Sequence, residues 1–150
     1  MNQTFARFQP IALSLFRFVT GLLLFQYGVA KWFKFPAVPM FANPPPLSLT
    51  AGALELVLGA LLMIGLFTRP VAFILAGEMA VAYFIGHFPR GFFPLENGGT
   101  AAIAFCFACL YLATAGGGPY SLDATLRKRT RSSTGVMRAG DHERQQKFGN

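Results

Sequence analysis

Charge is what this sequence has least of. Asp, Glu, Lys and Arg together make up 13% of its 150 residues, about half the ~25% of an ordinary soluble domain. That scarcity argues against a water-soluble globule, whose surface helices each need a polar face. It also argues against a disordered chain, which combines high charge with few apolar residues. Cysteine is scarce as well. Two residues, Cys106 and Cys109, are too few for a four-ligand zinc site, and no metal site is expected. There is no phosphate loop, no dinucleotide fingerprint and no Ser/His/Asp set with usable spacing. No clear ligation pattern for haem, flavin or iron–sulfur is present, so the residues themselves identify no cofactor.

Apolar residues fill the space that charge leaves. They make up 53% of the chain, with 17 Phe among them. A membrane-spanning helix needs ~20 largely apolar residues, and four stretches approach that length: residues 11–33, 48–67, 70–88 and 98–115. The expected architecture is an all-α integral membrane four-helix bundle over residues 1–123, followed by a basic, flexible tail at 124–150. Arg17 breaks the first apolar run and no small-residue cleavage site follows, so that run is read as a retained helix and not as a signal peptide.

The net charge of +7 raises the question of nucleic acid, but its distribution answers it. The tail 124–150 holds seven Lys/Arg against two acids, and residues 1–123 hold six against four. An apolar body with a basic end places that end in the cytoplasm. Four spans then put both termini on the cytoplasmic side of a bacterial inner (plasma) membrane, with Arg7 and the turn Thr68-Arg69-Pro70. The Pro-rich loop 34–47 and the loop 89–97 fall outside, and no nucleic-acid partner is expected.

Charges inside a span are costly and face the bundle interior. At about 100° per residue, Arg17, Gly21, Gly28 and Lys31 lie within roughly 80° of one another, and Gly52, Glu55 and Gly59 within about 60°. Small residues permit close helix approach, so both faces are expected to point inward. Arg17, Lys31, Glu55 and Glu78 sum to zero charge, as an internally paired network requires. Depth in the membrane predicts Arg17 with Glu78 and Lys31 with Glu55. Such pairs either fix helix register or form a proton relay or ligand site.

His87 lies near the outer end of the third span. An ideal helix points it about 180° from Glu78, towards either a loop-covered vestibule or, with Tyr27, Trp32 and Tyr83, an aromatic belt. Cys106-Phe107-Ala108-Cys109 has dithiol spacing. However, Ala102, Cys106, Cys109 and Ala113 also form a small-residue stripe suited to packing, and the two readings stand side by side.

Several runs in order carry a family resemblance: Arg17-x-x-x-Gly21, Gly28-x-x-Lys31, Gly52-Ala53-Leu54-Glu55-Leu56-Val57-Leu58-Gly59, Gly65-Leu66-Phe67-Thr68-Arg69, Glu78-Met79-x-x-Ala82-Tyr83-Phe84 with His87, Pro94-x-x-Asn97-Gly98-Gly99, and Gly118-Pro119-x-Ser121-Leu122-Asp123. Over about residues 11–123 the chain resembles the DoxX family of small bacterial membrane proteins. The resemblance implies a four-helix inner-membrane protein with a loose link to redox chemistry. Some relatives accompany thiosulfate:quinone oxidoreductase activity, and another is implicated in an actinobacterial membrane oxidoreductase complex with superoxide dismutase and a sulfurtransferase. Distant relatives include a eukaryotic cargo receptor, so the fold alone does not fix the function. Family members commonly carry Glu after Asn-Gly-Gly, where this chain has Thr100. Cys106 matches a position often Cys in the family, and Cys109 does not.

The expected function is a subunit of a membrane-associated oxidoreductase assembly, quinone- or thiol/sulfur-linked. Arg17, Lys31, Glu55, Glu78 and His87 form its polar network. Tyr27, Tyr83 and Asn97 line a ligand site, quinone is a possible bound cofactor, and Cys106 and Cys109 are redox candidates. Partner redox proteins would supply the electron carrier, and a homo-oligomer is compatible. The competing readings are a non-catalytic binding or transport protein, and a scaffold whose tail docks proteins or anionic lipid.

Overall fold

The computed structural model describes residues 6–130. Four principal helices run up and down: α1 (Gln9–Phe33), α2 (Pro46–Ile64), α3 (Thr68–Ala82) and α4 (Thr100–Ala115). α3 continues as a π-helical segment, Tyr83–His87, and a 3₁₀ turn, Phe88–Arg90. A single helical turn, Pro94–Asn97, precedes α4. No strand occurs among the described residues. Residues 122–130 are helical, so the tail expected at 124–150 begins as a helix, and its remainder lies outside the described residues.

α1 packs chiefly on α2 and α3 chiefly on α4, and the α2–α3 seam joins the two pairs. Leu24, Leu62, Leu75, Cys109 and Leu112, from all four helices, are fully buried at the centre. The outward faces are apolar too: Phe73 and Phe107 are each 66% exposed, and Leu15, Phe18 and Val57 are exposed beside them. Water would not tolerate such a surface, whereas lipid matches it. Three helices, Gln9–Phe33, Pro46–Ile64 and Thr68–Arg90, are long and apolar enough to cross a membrane, and Thr100–Ala115 is a shorter apolar helix. The chain is an all-α membrane bundle.

Glycine sets the α1–α2 distance. A Cβ on Gly21 would sit 2.6 Å from the Met63 backbone N, one on Gly28 2.6 Å from that of Leu56, and one on Gly59 2.7 Å from that of Phe25. The two backbones are therefore in contact, as the shared glycine faces predict.

The α2–α3 turn is tight. α2 ends on Gly65 in the left-handed region at φ 72°, where a side chain is strained. Leu66 N then donates to Leu61 O at 3.0 Å. Phe67 is also left-handed, at φ 49°. The carboxylate of Asp123 holds it there: Oδ1 accepts from Phe67 N at 2.8 Å and Oδ2 from Thr68 N at 2.9 Å. An acceptor at these positions satisfies donors that a helix N-terminus leaves free. Pro70 costs nothing there, because the first turn needs no N–H from it.

Candidate functional site

Polar groups gather at two levels of the bundle. The near level lies at the end where α1 begins and α2 turns into α3. The far level lies towards the loops 34–45 and 91–99.

Arg17 organises the near level. It is 2% exposed, and its guanidinium donates to four backbone carbonyls. Nε reaches Gly117 O at 2.9 Å and Nη2 reaches Tyr120 O at 2.8 Å, while Nη1 binds Leu62 O and Met63 O. Two of these are carbonyls of the last turn of α2, and two belong to the segment after α4. A planar fork of fixed donors suits such a cluster. The predicted Arg17–Glu78 pair is not formed. The pair is expected from depth and charge balance, and here helix-end and loop carbonyls take the place of the carboxylate. Arg17 and Asp123 also attract each other, so the acid that acts on Arg17 comes from the segment after α4 and not from α3. Ser14 and Ser121 complete the lock: Tyr120 N donates to Ser14 Oγ, and Ser121 Oγ donates to Gly118 O at 2.7 Å.

The far level carries the predicted Lys31–Glu55 pair. Nζ and Oε2 are 2.6 Å apart, with the side chains 10% and 3% exposed. Lys31 comes from the last turn of α1 and Glu55 from the middle of α2, brought level by the Gly28–Gly52 contact. Two rings flank the ammonium, Tyr27 at 6.0 Å and Phe41 at 5.6 Å from Nζ to centroid. Tyr27 also packs edge-on against Phe41 and Phe105, each at 6.1 Å. Phe41 and Phe105 were not singled out in the sequence. Phe41 lies in a Pro-rich loop without periodicity, and Phe105 is one of 17 Phe.

Glu78 belongs to this level as well. Both its carboxyl oxygens are buried and have no hydrogen-bond partner among the described residues. It interacts electrostatically with Glu55, Lys31 and Cys109. The structure thus assembles an ammonium, a paired carboxylate and an unpartnered carboxyl, bordered by aromatic rings.

His87, Asn97 and Tyr83 come together above it. His87 Nδ1 lies 3.1 Å from Asn97 O. The π-helical segment turns the chain less per residue than an α-helix, so the angle read from an ideal helix does not hold for His87. Asn97 is 3% exposed, and both ends of its amide are used: Nδ2 donates to Gly91 O and Oδ1 accepts from Gly99 N, each at 2.8 Å. Tyr83 lies over Gly99, where a Cβ would be 2.6 Å from its ring. Thr100 is exposed and donates to Pro94 O at 3.2 Å, so it closes a local turn.

Cys109 is fully buried in the core and Cys106 packs partly against it; both are free thiols. Ala102 is buried on the same stripe and Ala113 packs against the core. These positions thus share a packed face of α4. No cluster of three or more His, Cys, Asp or Glu that could hold a metal occurs among the described residues.

Comparison with known proteins gives two matches. The DoxX family model matches residues 12–88. An uncharacterized protein of Haemophilus influenzae is 38% identical over 129 residues, which cover 82% of this chain and 96% of that protein. No solved structure matches the chain.

Proposed function

The chain belongs to the DoxX family, and from that premise we propose that it is the membrane subunit of an oxidoreductase assembly, quinone- or thiol/sulfur-linked, seated in a bacterial inner membrane with both termini in the cytoplasm. The observation that carries the reading is Glu78. A buried polar atom without a partner is rare and costly, and more so in lipid. A carboxyl left in that state beside a Lys–Glu pair is the arrangement expected of a ligand or proton site.

A quinone suits the chemistry. Its carbonyl oxygens accept hydrogen bonds, which the Lys31 ammonium can donate, and the hydroxyls of the reduced form can donate to Glu78. Tyr27, Phe41 and Phe105 offer apolar walls of the kind such ligands need. Reduction of the quinone takes two electrons and two protons. In this reading a partner redox protein supplies the electrons, and Glu78 and Glu55 pass the protons. His87 and Asn97 hold the loop that borders the site.

The test is purification of the full chain in mild detergent, quantification of co-purified quinone, and measurement of quinone reduction with its partner. The expected result is bound quinone, with reduction falling at least about tenfold in Glu78→Gln, which keeps the shape but not the proton carrier. Quinone reduction unchanged in both Glu78→Gln and Glu55→Gln would overturn the site. Ligand retention without turnover would favour a non-catalytic binding or transport protein.

A further inference from the structure

A second concave site lies at the near end, away from the Lys31–Glu55–Glu78 cluster. It is a cleft of about 560 Å³ between the start of α3, the turn 116–119 and the helical residues 122–130. Among the described residues three cations line it, Arg69, Arg127 and Lys128, against one acid, Asp123. That acid is already engaged, since its two oxygens accept the backbone N–H groups of Phe67 and Thr68. The Arg69 guanidinium rests beside Gly116, where a Cβ would fall 3.4 Å from Nε.

A separate observation points to a ligand. Thr68 also lines the cleft and is 0% exposed, yet its hydroxyl has no hydrogen-bond partner among the described residues. Gly117 lies directly over it; a Cβ there would be 2.7 Å from Thr68 Oγ1. The first turn of α3 adds the positive end of its dipole. Excess cations, a free hydroxyl donor and a glycine-floored approach together describe an anion cradle.

We propose that this cleft binds the phosphate group of an anionic ligand, with Arg69, Arg127 and Lys128 supplying charge and Thr68 a hydroxyl donor. A phospholipid headgroup and a free phosphate share that chemistry. The surroundings fit the headgroup: Phe67, Leu122 and Leu126 are exposed around the cleft and match acyl chains at the same depth. Leu122 and Leu126, one helical turn apart, lay residues 122–130 along the membrane surface, with cations level with lipid phosphates.

Native mass spectrometry of the full chain in mild detergent tests this, with phosphatidylglycerol, phosphatidylcholine and inorganic phosphate as probes. Phosphatidylglycerol is expected to bind in preference to phosphatidylcholine. Neutralising Arg69, Arg127 and Lys128 to Gln, all exposed side chains, is expected to weaken binding by more than about tenfold, at roughly fivefold per cation. Neutralising Arg7, Lys34 and Arg90, exposed cations that do not line the cleft, removes the same charge elsewhere and is expected to cost much less. Thr68→Val, which keeps the shape, is expected to lose about threefold, a donor's share. Displacement of the lipid by inorganic phosphate supports a free-phosphate ligand, and persistence of the lipid supports the headgroup. Equal binding of the two lipids, or equal losses in the cleft and control variants, would overturn the proposal.

Discussion

Three buried ionisable residues lead to three different outcomes on substitution. Arg17 serves four carbonyls at once, and Lys keeps its charge but not its fork. Arg17→Lys therefore leaves at least one carbonyl unserved, at about 1–3 kcal/mol each, and denaturant titration in detergent should show a loss of at least about 1 kcal/mol. Arg17→Glu combined with Glu78→Arg should not recover it, because those residues do not meet. Glu55→Gln strands the Lys31 ammonium and should cost about 3–5 kcal/mol, whereas Lys31→Met with Glu55→Leu should return to within about 1 kcal/mol of the parent. A double-mutant cycle measures both. Glu78→Gln breaks no bond among the described residues and should leave stability nearly unchanged, so any loss of turnover in that variant would be functional.

At the scale of helices, the glycines divide into two groups. Gly21, Gly28 and Gly59 hold two backbones in contact, whereas a Cβ on Gly77 or Gly86 meets nothing within 4 Å. Gly21→Ala or Gly28→Ala should force α1 and α2 apart and lower the melting temperature sharply. Gly77→Ala, in the body of α3, should raise stability by about 0.5–1 kcal/mol through helix propensity alone. Thermal unfolding followed by circular dichroism separates the two groups. These contacts were legible in advance because glycines at helical spacing leave a stripe in the sequence. The helices were legible for the same reason: α1, expected at 11–33, spans Gln9–Phe33, and α4, expected from 98, starts at Thr100. The lapse of α3 into a π-helical segment left no such trace; there Tyr83 and His87 meet the loop around Asn97 and Gly99.

For the whole molecule, the legible part of the site was its side-chain pairing, and the illegible part was its backbone. Lys31 and Glu55 could be matched by sign, depth and face. Arg17 was mispaired because carbonyls carry no residue identity, and nothing local announces that residues 117–120 fold back under α1. Asp123 carries no local signal in the sequence, yet it caps a helix 55 residues earlier. Sidedness is checked by cysteine labelling in whole cells, in a Cys106→Ala, Cys109→Ala background. A membrane-impermeant maleimide should label Asn43→Cys from outside and reach Ser132→Cys only after the membrane is opened.

The Arg17 lock carries a consequence for biosynthesis. Arg17 lies on α1, which is translated before the other three helices, but two of its acceptors lie 100 and 103 residues downstream. Until the ribosome has delivered Gly117 and Tyr120, two of the four acceptors of the guanidinium are missing. A chain cut short after residue 115 would have all four helices and still leave a buried arginine half satisfied.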